Sequence, residues 1–306
     1  MTSTPSYPIG ITGEPWGEKE YSQWLGSQSP QRRYQEDVVP RITALADRFE
    51  ILTYGQLDYA GEAYTLYAVR NGTPDPSLPS ALVTGGVHGY ETSGVMGALQ
   101  FLETSAAQYA GKVNLLVAPC VSPWAYERIN RWNYDAIDPN RNFISESKAL
   151  ECSALMALVA AQPGPFLLHI DLHETTDSDE SEFRPALAAR DGEDFVPGSI
   201  PDGFYLVDDS ENPQSAFQEA IISAVEQVTH IAPADSEGKI IGSPVVARGV
   251  IQYPQAKYAM CSSLTGARFT TTTEVYPDSP RATPQICNDA QVAAVCAALD
   301  FTLAHA

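Results

Sequence analysis

Apolar residues along this chain follow two alternating patterns. Short unbroken runs closed by glycine or proline read as buried strands. Longer stretches with an apolar residue every three or four positions read as helices. Residues 15–50 look largely helical, with Trp24, Leu25, Val38, Val39, Ile42, Leu45 and Phe49 on a spaced stripe. Residues 63–69 read as an early strand, and a turn-rich Asn71-Gly72-Thr73-Pro74 follows. A glycine-closed run over 80–87 predicts a buried strand, and 92–104 a helix carrying Val95, Met96, Leu99, Phe101 and Leu102. Strand 113–118, helix 150–161 and strand 166–172 continue the alternation. Residues 174–215 are rich in Asp, Glu, Ser, Pro and Gly, show little periodicity and read as a long acidic loop. Helix 215–228, a threonine-rich strand at 269–275 and an amphipathic helix at 290–303 complete the pattern. Strands alternating with helices predict an α/β fold, a three-layer α/β/α sandwich with a mixed, mostly parallel central sheet. With no internal repeat and no linker, residues 1–306 read as a single catalytic domain.

Composition narrows what such a domain does. The 306 residues are 44% hydrophobic, enough for a sizeable core. A net charge of −20 argues against nucleic acid as a partner and against anionic membranes. Any positive potential is expected to be confined to a pocket. Five cysteines without a C-x-x-C pair argue against a disulfide framework and point to a reducing compartment. The first 23 residues carry neither a basic nor an apolar leader segment. No run approaches the ~18 apolar residues of a membrane span. Together these lead to the expectation of a soluble, cytoplasmic protein.

The chemistry concentrates in His88-Gly89-Tyr90-Glu91 and, far downstream, Asp171-Leu172-His173-Glu174. Two imidazoles and a carboxylate are a catalytic zinc set that leaves a fourth position for water. His88 and Glu91 fall in a strand-to-helix turn, and His173 at the carboxyl end of a strand, where α/β sheets bind ligands. The expected cofactor is one Zn²⁺ per chain on His88, Glu91 and His173. His169, Asp171 and His173 share one face of their strand. Asp171 is the expected carboxylate partner of His173, and His169 an ordinary hydrogen-bonded core residue. The acidic run after His173 leaves a second, co-catalytic metal as the less favoured alternative. No G-x-S-x-G, H-E-x-x-H or G-x-x-x-x-G-K-[ST] occurs, which disfavours serine hydrolases, zincins and P-loop enzymes.

Three arginines, Arg128, Arg131 and Arg141, lie within 14 residues, the last in Asp138-Pro139-Asn140-Arg141-Asn142-Phe143. The order H-x-x-E, Arg-bearing loop, D-P-N-R-N-F, D-L-H and a late Thr-Glu resembles the zinc carboxypeptidases of the carboxypeptidase A type. It also resembles their relatives, the succinylglutamate desuccinylases and aspartoacylases. That likeness spans about residues 81–277. It implies zinc on His88, Glu91 and His173, and a substrate carboxylate gripped by Asn140 and Arg141. It further implies a carbonyl polarised by Arg131 and a general base at Glu274. The residue chemistry agrees: guanidinium forks bind carboxylates through paired hydrogen bonds, and a strand-end glutamate can shuttle a proton. Arg128 joins the substrate-binding candidates. The family's mobile tyrosine has no clear match, and Tyr253 and Tyr258 are both candidates. The expected function is a metallocarboxypeptidase acting on a peptide with a free carboxylate. The alternatives are a deacylase of N-acyl amino acids with the same zinc chemistry, and an inactive zinc-binding module, which the intact Glu274 disfavours.

Overall fold

The computed structural model describes residues 7–306. Its strands are β1 (Glu50–Tyr59), β2 (Glu62–Arg70), β3 (Ser80–Gly85), β4 (Asn114–Ala118), β5 (Phe166–Glu174), β6 (Tyr205–Asp209), β7 (Lys239–Ile240), β8 (Ser243–Pro244), β9 (Val250–Tyr253) and β10 (Phe269–Val275). Its α-helices are α1 (Glu18–Ser27), α2 (Tyr34–Asp37), α3 (Val39–Thr43), α4 (Thr92–Thr104), α5 (Pro123–Arg128), α6 (Leu150–Ala160), α7 (Arg184–Asp191), α8 (Ser215–Val225) and α9 (Pro284–Ala304).

Eight strands form one mixed sheet in the order β1-β2-β4-β3-β5-β10-β6-β9. Its centre, β4-β3-β5-β10, is parallel. The continuous apolar character of β3 follows from this place, since a central parallel strand is covered on both faces. Val83, Val117, Ile170 and Leu172 pack in the main core with Leu99 of α4 and Val295 and Leu299 of α9. Leu82, Leu116 and Phe166 face the other way, against Leu158 and Val159 of α6. The result is the helix–sheet–helix sandwich that the sequence pattern predicts. By length and composition α9 is apolar enough to cross a membrane, a property the sequence reading missed. In the fold it packs against α4, α8, β5 and β10 as a core helix.

Two stretches differ from the sequence expectation. The helical reading of 15–50 resolves into three short helices, interrupted by Ser29-Pro30 and restarted at Val39-Pro40, and β1 begins at Glu50. β1 is an edge strand with mostly part-exposed positions, so it carries no apolar run to betray it. It turns into β2 through Ala60-Gly61, both at positive φ. The supposed acidic loop 174–215 contains a π-helical turn at Asp179–Phe183, then α7 and β6. Its buried anchors are few, Phe183, Ala186 and Tyr205 to Val207 among them, and solvated charges separate them. That dilutes any periodicity.

Candidate metal centre and cleft

The parallel strands end together, and the candidate residues sit at those ends. β3 stops at Gly85, and the chain passes through His88 to Glu91, the residue that precedes α4. A side chain at Gly89 would strike the backbone of Ala125 and Tyr126, so only glycine lets this turn lie against α5. Arg32 clips the same turn, donating to the carbonyls of Gly89 and Tyr126 and to the Thr92 hydroxyl. On β5, His169, Asp171 and His173 project to the side opposite Leu168, Ile170 and Leu172, as the period of two requires. β10 runs parallel to β5 with Glu274 beside His173.

His88, Glu91 and His173 converge, with ligand atoms all within 4.8 Å of one another and all three residues buried. His88 Nδ1 lies 2.8 Å from Glu91 Oε1, and His173 Nδ1 lies 2.7 Å from Glu91 Oε2. Each outer nitrogen is engaged by a carboxylate: His88 Nε2 by Asp138 Oδ1 at 2.9 Å, and His173 Nε2 by Asp171 Oδ2 at 2.6 Å. Those partners orient both rings so that each Nδ1 faces Glu91. Positive charge belongs between these nitrogens and the carboxylate: a proton on His173 in the metal-free protein, or a bound cation in its place. Glu91 Oε2 is moreover buried, and among the described residues only a protonated His173 Nδ1 can reach it. The donor set therefore fits a divalent metal of zinc type. Among the described residues, no other group of such donors converges in this way.

The electrostatics agree with an anionic cradle. Burial opposes ionisation of Glu91, yet His173 and His88 hold it down at about 2. Burial likewise opposes charge on His173, but Asp171 and Glu91 hold the imidazolium well above its usual range. Asp138 lies well below the ordinary carboxylate range despite burial, because Arg131 and His88 flank it. Replacing Asp138 by Asn should lower zinc affinity by ~10- to 100-fold, the usual cost of losing a ligand-orienting partner. Equilibrium dialysis against a zinc buffer checks this, and unchanged affinity would remove Asp138 from the centre.

These groups open onto a cleft of about 680 Å³, the size of a small-molecule or peptide-end site. Arg131, Asn140, Arg141, Tyr253 and Glu274 line it. Glu274 is part-exposed to the cleft and accepts a hydrogen bond from Thr175 Oγ1 at 2.8 Å. Burial of the surrounding wall raises it to about 7, against the pull of His173. Arg131 Nε donates to Asp138 Oδ2 at 3.2 Å. Arg141 is exposed, donates only to the Asn140 carbonyl, and makes no ion pair among the described residues. Asn140 Oδ1 accepts a hydrogen bond from the Cys261 backbone amide at 2.7 Å, which fixes the Asn140 side chain at the cleft wall.

No family model matches the chain, and no curated protein matches it. Solved structures do. A provisionally named metallopeptidase from Shewanella denitrificans OS217 superposes with a TM-score of 0.63 at 20% identity, covering 86% of this chain and 88% of that one. A metallo-carboxypeptidase from Burkholderia cenocepacia gives 0.56 at 14% identity, over 94% of this chain and 70% of that one. Bovine thrombin-activatable fibrinolysis inhibitor, bound to a tick carboxypeptidase inhibitor, gives 0.58 at 12% identity, over 96% and 99%. The chain has the metallo-carboxypeptidase fold.

Within that fold, the sequence candidates separate. Arg128 is corrected: it is buried, pairs with both oxygens of Glu62 at 2.9 and 2.6 Å, receives Tyr64 as a further partner, and is absent from the cleft wall. Its proximity in sequence to Arg131 misleads because α5 ends between them, with Ile129 in the left-handed region. Tyr253 lines the cleft, whereas Tyr258 stands at its edge with Arg141 5.9 Å from the ring centroid, and the two rings meet edge to face. Glu174, the next residue after His173, is buried and accepts the Thr92 and Ser93 amides that open α4. His169 is a buried core residue against Thr84.

Sequence reasoning missed four cleft residues: Asp138, Tyr90, Asp179 and Tyr205, whose hydroxyl meets Thr175 Oγ1 at 2.7 Å beside Glu274. Asp138 had a signal, since an Asp before Pro-Asn-Arg accepts the Asn140 amide as an Asx turn, on the same Oδ1 that faces His88. Tyr90 lay inside the metal motif. Asp179 and Tyr205 belong to elements with no legible pattern.

Proposed function

We propose that this protein is a zinc-dependent hydrolase that removes the C-terminal residue of a peptide bearing a free carboxylate. One observation carries the reading: a buried His₂Glu cluster and a carboxylate raised to about 7 face the same cleft as Arg141, which has no acidic partner among the described residues.

His88, Glu91 and His173 would hold the zinc, which when bound supplies a Lewis acid and an acidified water. Glu274 is placed beside His173 to take the proton of the attacking water and return it to the leaving amine. A carboxylate near 7 suits both halves of that transfer at neutral pH. Arg131 offers its guanidinium to the carbonyl oxygen as negative charge develops there. Arg141, with the Asn140 amide, is suited to the terminal carboxylate, a bidentate and charge-assisted recognition. Five basic residues line the cleft of a chain whose net charge is −20: Arg131, Arg141, Lys148, Arg184 and Arg190. Arg184 and Arg190 are committed to Glu180 and Asp191, so Arg141 and Lys148 are the cleft cations left for a substrate anion.

Arg141→Ala is expected to slow cleavage of free-carboxylate peptides roughly 10- to 150-fold, the equivalent of one charged hydrogen-bonding group. Arg141→Lys should recover only part, because it lacks the fork. Amidating the peptide should cost the parent about as much and the variant little more, since both changes delete one interaction. The test is kcat/KM for matched free and amidated peptides. Additive losses would place the carboxylate elsewhere.

A further inference from the structure

Arg131 is held from three sides. Its Nε donates to Asp138 Oδ2, and its Nη1 donates to the Tyr90 hydroxyl at 3.2 Å and to Asp179 Oδ1 at 3.4 Å. The Tyr90 hydroxyl in turn donates to Asp179 Oδ1 at 2.8 Å. Asp179 Oδ2 is fixed by the Thr176 amide at 2.8 Å. Tyr90 and Asp179 are 4% and 7% exposed, so neither is a solvated surface group. Among the described residues, Nη2 makes no hydrogen bond, and Arg131 lines the cleft. Half of the guanidinium fork is therefore clamped and half is presented.

The contacts close into a ring. His88 joins Asp138, Asp138 joins Arg131, Arg131 joins Tyr90, and the Tyr90 ring stacks on His88 with centroids 6.0 Å apart. Tyr90 is also wedged against Phe183 at 4.6 Å. Asp179 enters the ring from the π-helical turn at Asp179–Phe183, and such turns recur at functional sites because they re-aim side chains.

We propose that Tyr90 and Asp179 are positioning residues that aim the free Nη2 edge of Arg131 at the oxygen on which charge develops, and that they do so in register with the metal ligand His88. This rests on the function proposed above. A guanidinium on a long flexible side chain otherwise samples many rotamers, and a displacement near 1 Å can cost ~10²-fold in rate. Asp138 alone would fix one nitrogen and leave rotation about it. The second anchor removes that freedom.

Tyr90→Phe keeps the ring stacking and deletes only the hydroxyl. Asp179→Asn keeps the shape and deletes the charge. Zinc-loaded parent and variants would be compared for zinc content, kcat and KM on a free-carboxylate peptide, and affinity for a phosphonate peptide whose anionic oxygen mimics the developing charge. Tyr90→Phe should lower kcat about 10-fold and Asp179→Asn more, up to ~10²-fold. KM and zinc content should hold, and phosphonate affinity should weaken in step with kcat. Combined with Arg131→Ala, neither should lower kcat further. Unchanged kcat in Tyr90→Phe, or losses that multiply with Arg131→Ala, would overturn the clamp and leave the hydrolase reading standing. A parent that neither cleaves the peptide nor binds the phosphonate would overturn the hydrolase reading and the clamp with it.

Discussion

Glu274→Gln is expected to retain zinc and lose ~10²- to 10⁴-fold or more in turnover, the range of a lost general base. The substitution is isosteric and keeps an acceptor for the Thr175 hydroxyl, so the wall should not collapse. What disappears is a proton site that the protein raises to about 7 by burial. Glu274 must be ionised to act as a base. Parent activity should therefore climb as pH rises through about 7 and fall away below it, with a bound cation drawing that limb to lower pH. The variant's residual activity should lack the limb. A pH profile of kcat/KM for both proteins checks the point. A limb that survives in Glu274→Gln would move the base to another group, and Glu174 is poorly placed for the role because it is committed to the start of α4.

His173→Ala should abolish both zinc binding and turnover, and the metal dependence of stability should show why. Without metal, the cluster is held by ion pairs. His173 is raised well above its ordinary value, so its contribution is complete below pH ~6.5 and is lost as pH rises through the folded value. Glu91 is depressed to about 2, so its contribution is present above pH ~4.5 and lost on acidification towards 2. The metal-free protein should thus be steadiest between about pH 4.5 and 6.5. Zinc needs unprotonated imidazoles, and its binding releases protons. Added zinc should accordingly raise the melting temperature more at pH 8 than at pH 5.5. At a thousand-fold excess over Kd the gain is about 4 kcal/mol, which is roughly 6 °C for a chain of this length. Differential scanning fluorimetry of parent and His173→Ala, with and without zinc, measures it. An equal zinc shift in the variant would break the assignment.

The sequence made the centre of this fold legible and its edges obscure, for physical reasons. β3 and β5 are buried on both faces, so short apolar runs, Ala81 to Val83 and Phe166 to Leu168, mark them at once. The metal ligands sit at the ends of these strands, where a short H-x-x-E and a D-L-H interrupt apolar runs. β1 and β9 are the sheet edges, and their part-solvated positions resemble loop. Arg128 shows the opposite failure. It looked like a ligand-binding residue by its neighbours, yet the end of α5 turns it to Glu62, a long-range partner no local pattern announces. Asp179 and Tyr205 reach the site from the acidic segment, and only the tertiary fold brings them there.

The most direct measurement is mass spectrometry of a zinc-loaded digest. A peptide with a free C-terminus, its amidated twin and an N-acyl amino acid would each be incubated with the parent and with Glu274→Gln. Loss of one C-terminal residue from the free peptide by the parent alone, with the amide cut at least tenfold more slowly in keeping with the charged contact, is the expected result. Equal cleavage of the amidated peptide, internal cuts, or hydrolysis of the N-acyl amino acid alone would contradict a carboxypeptidase.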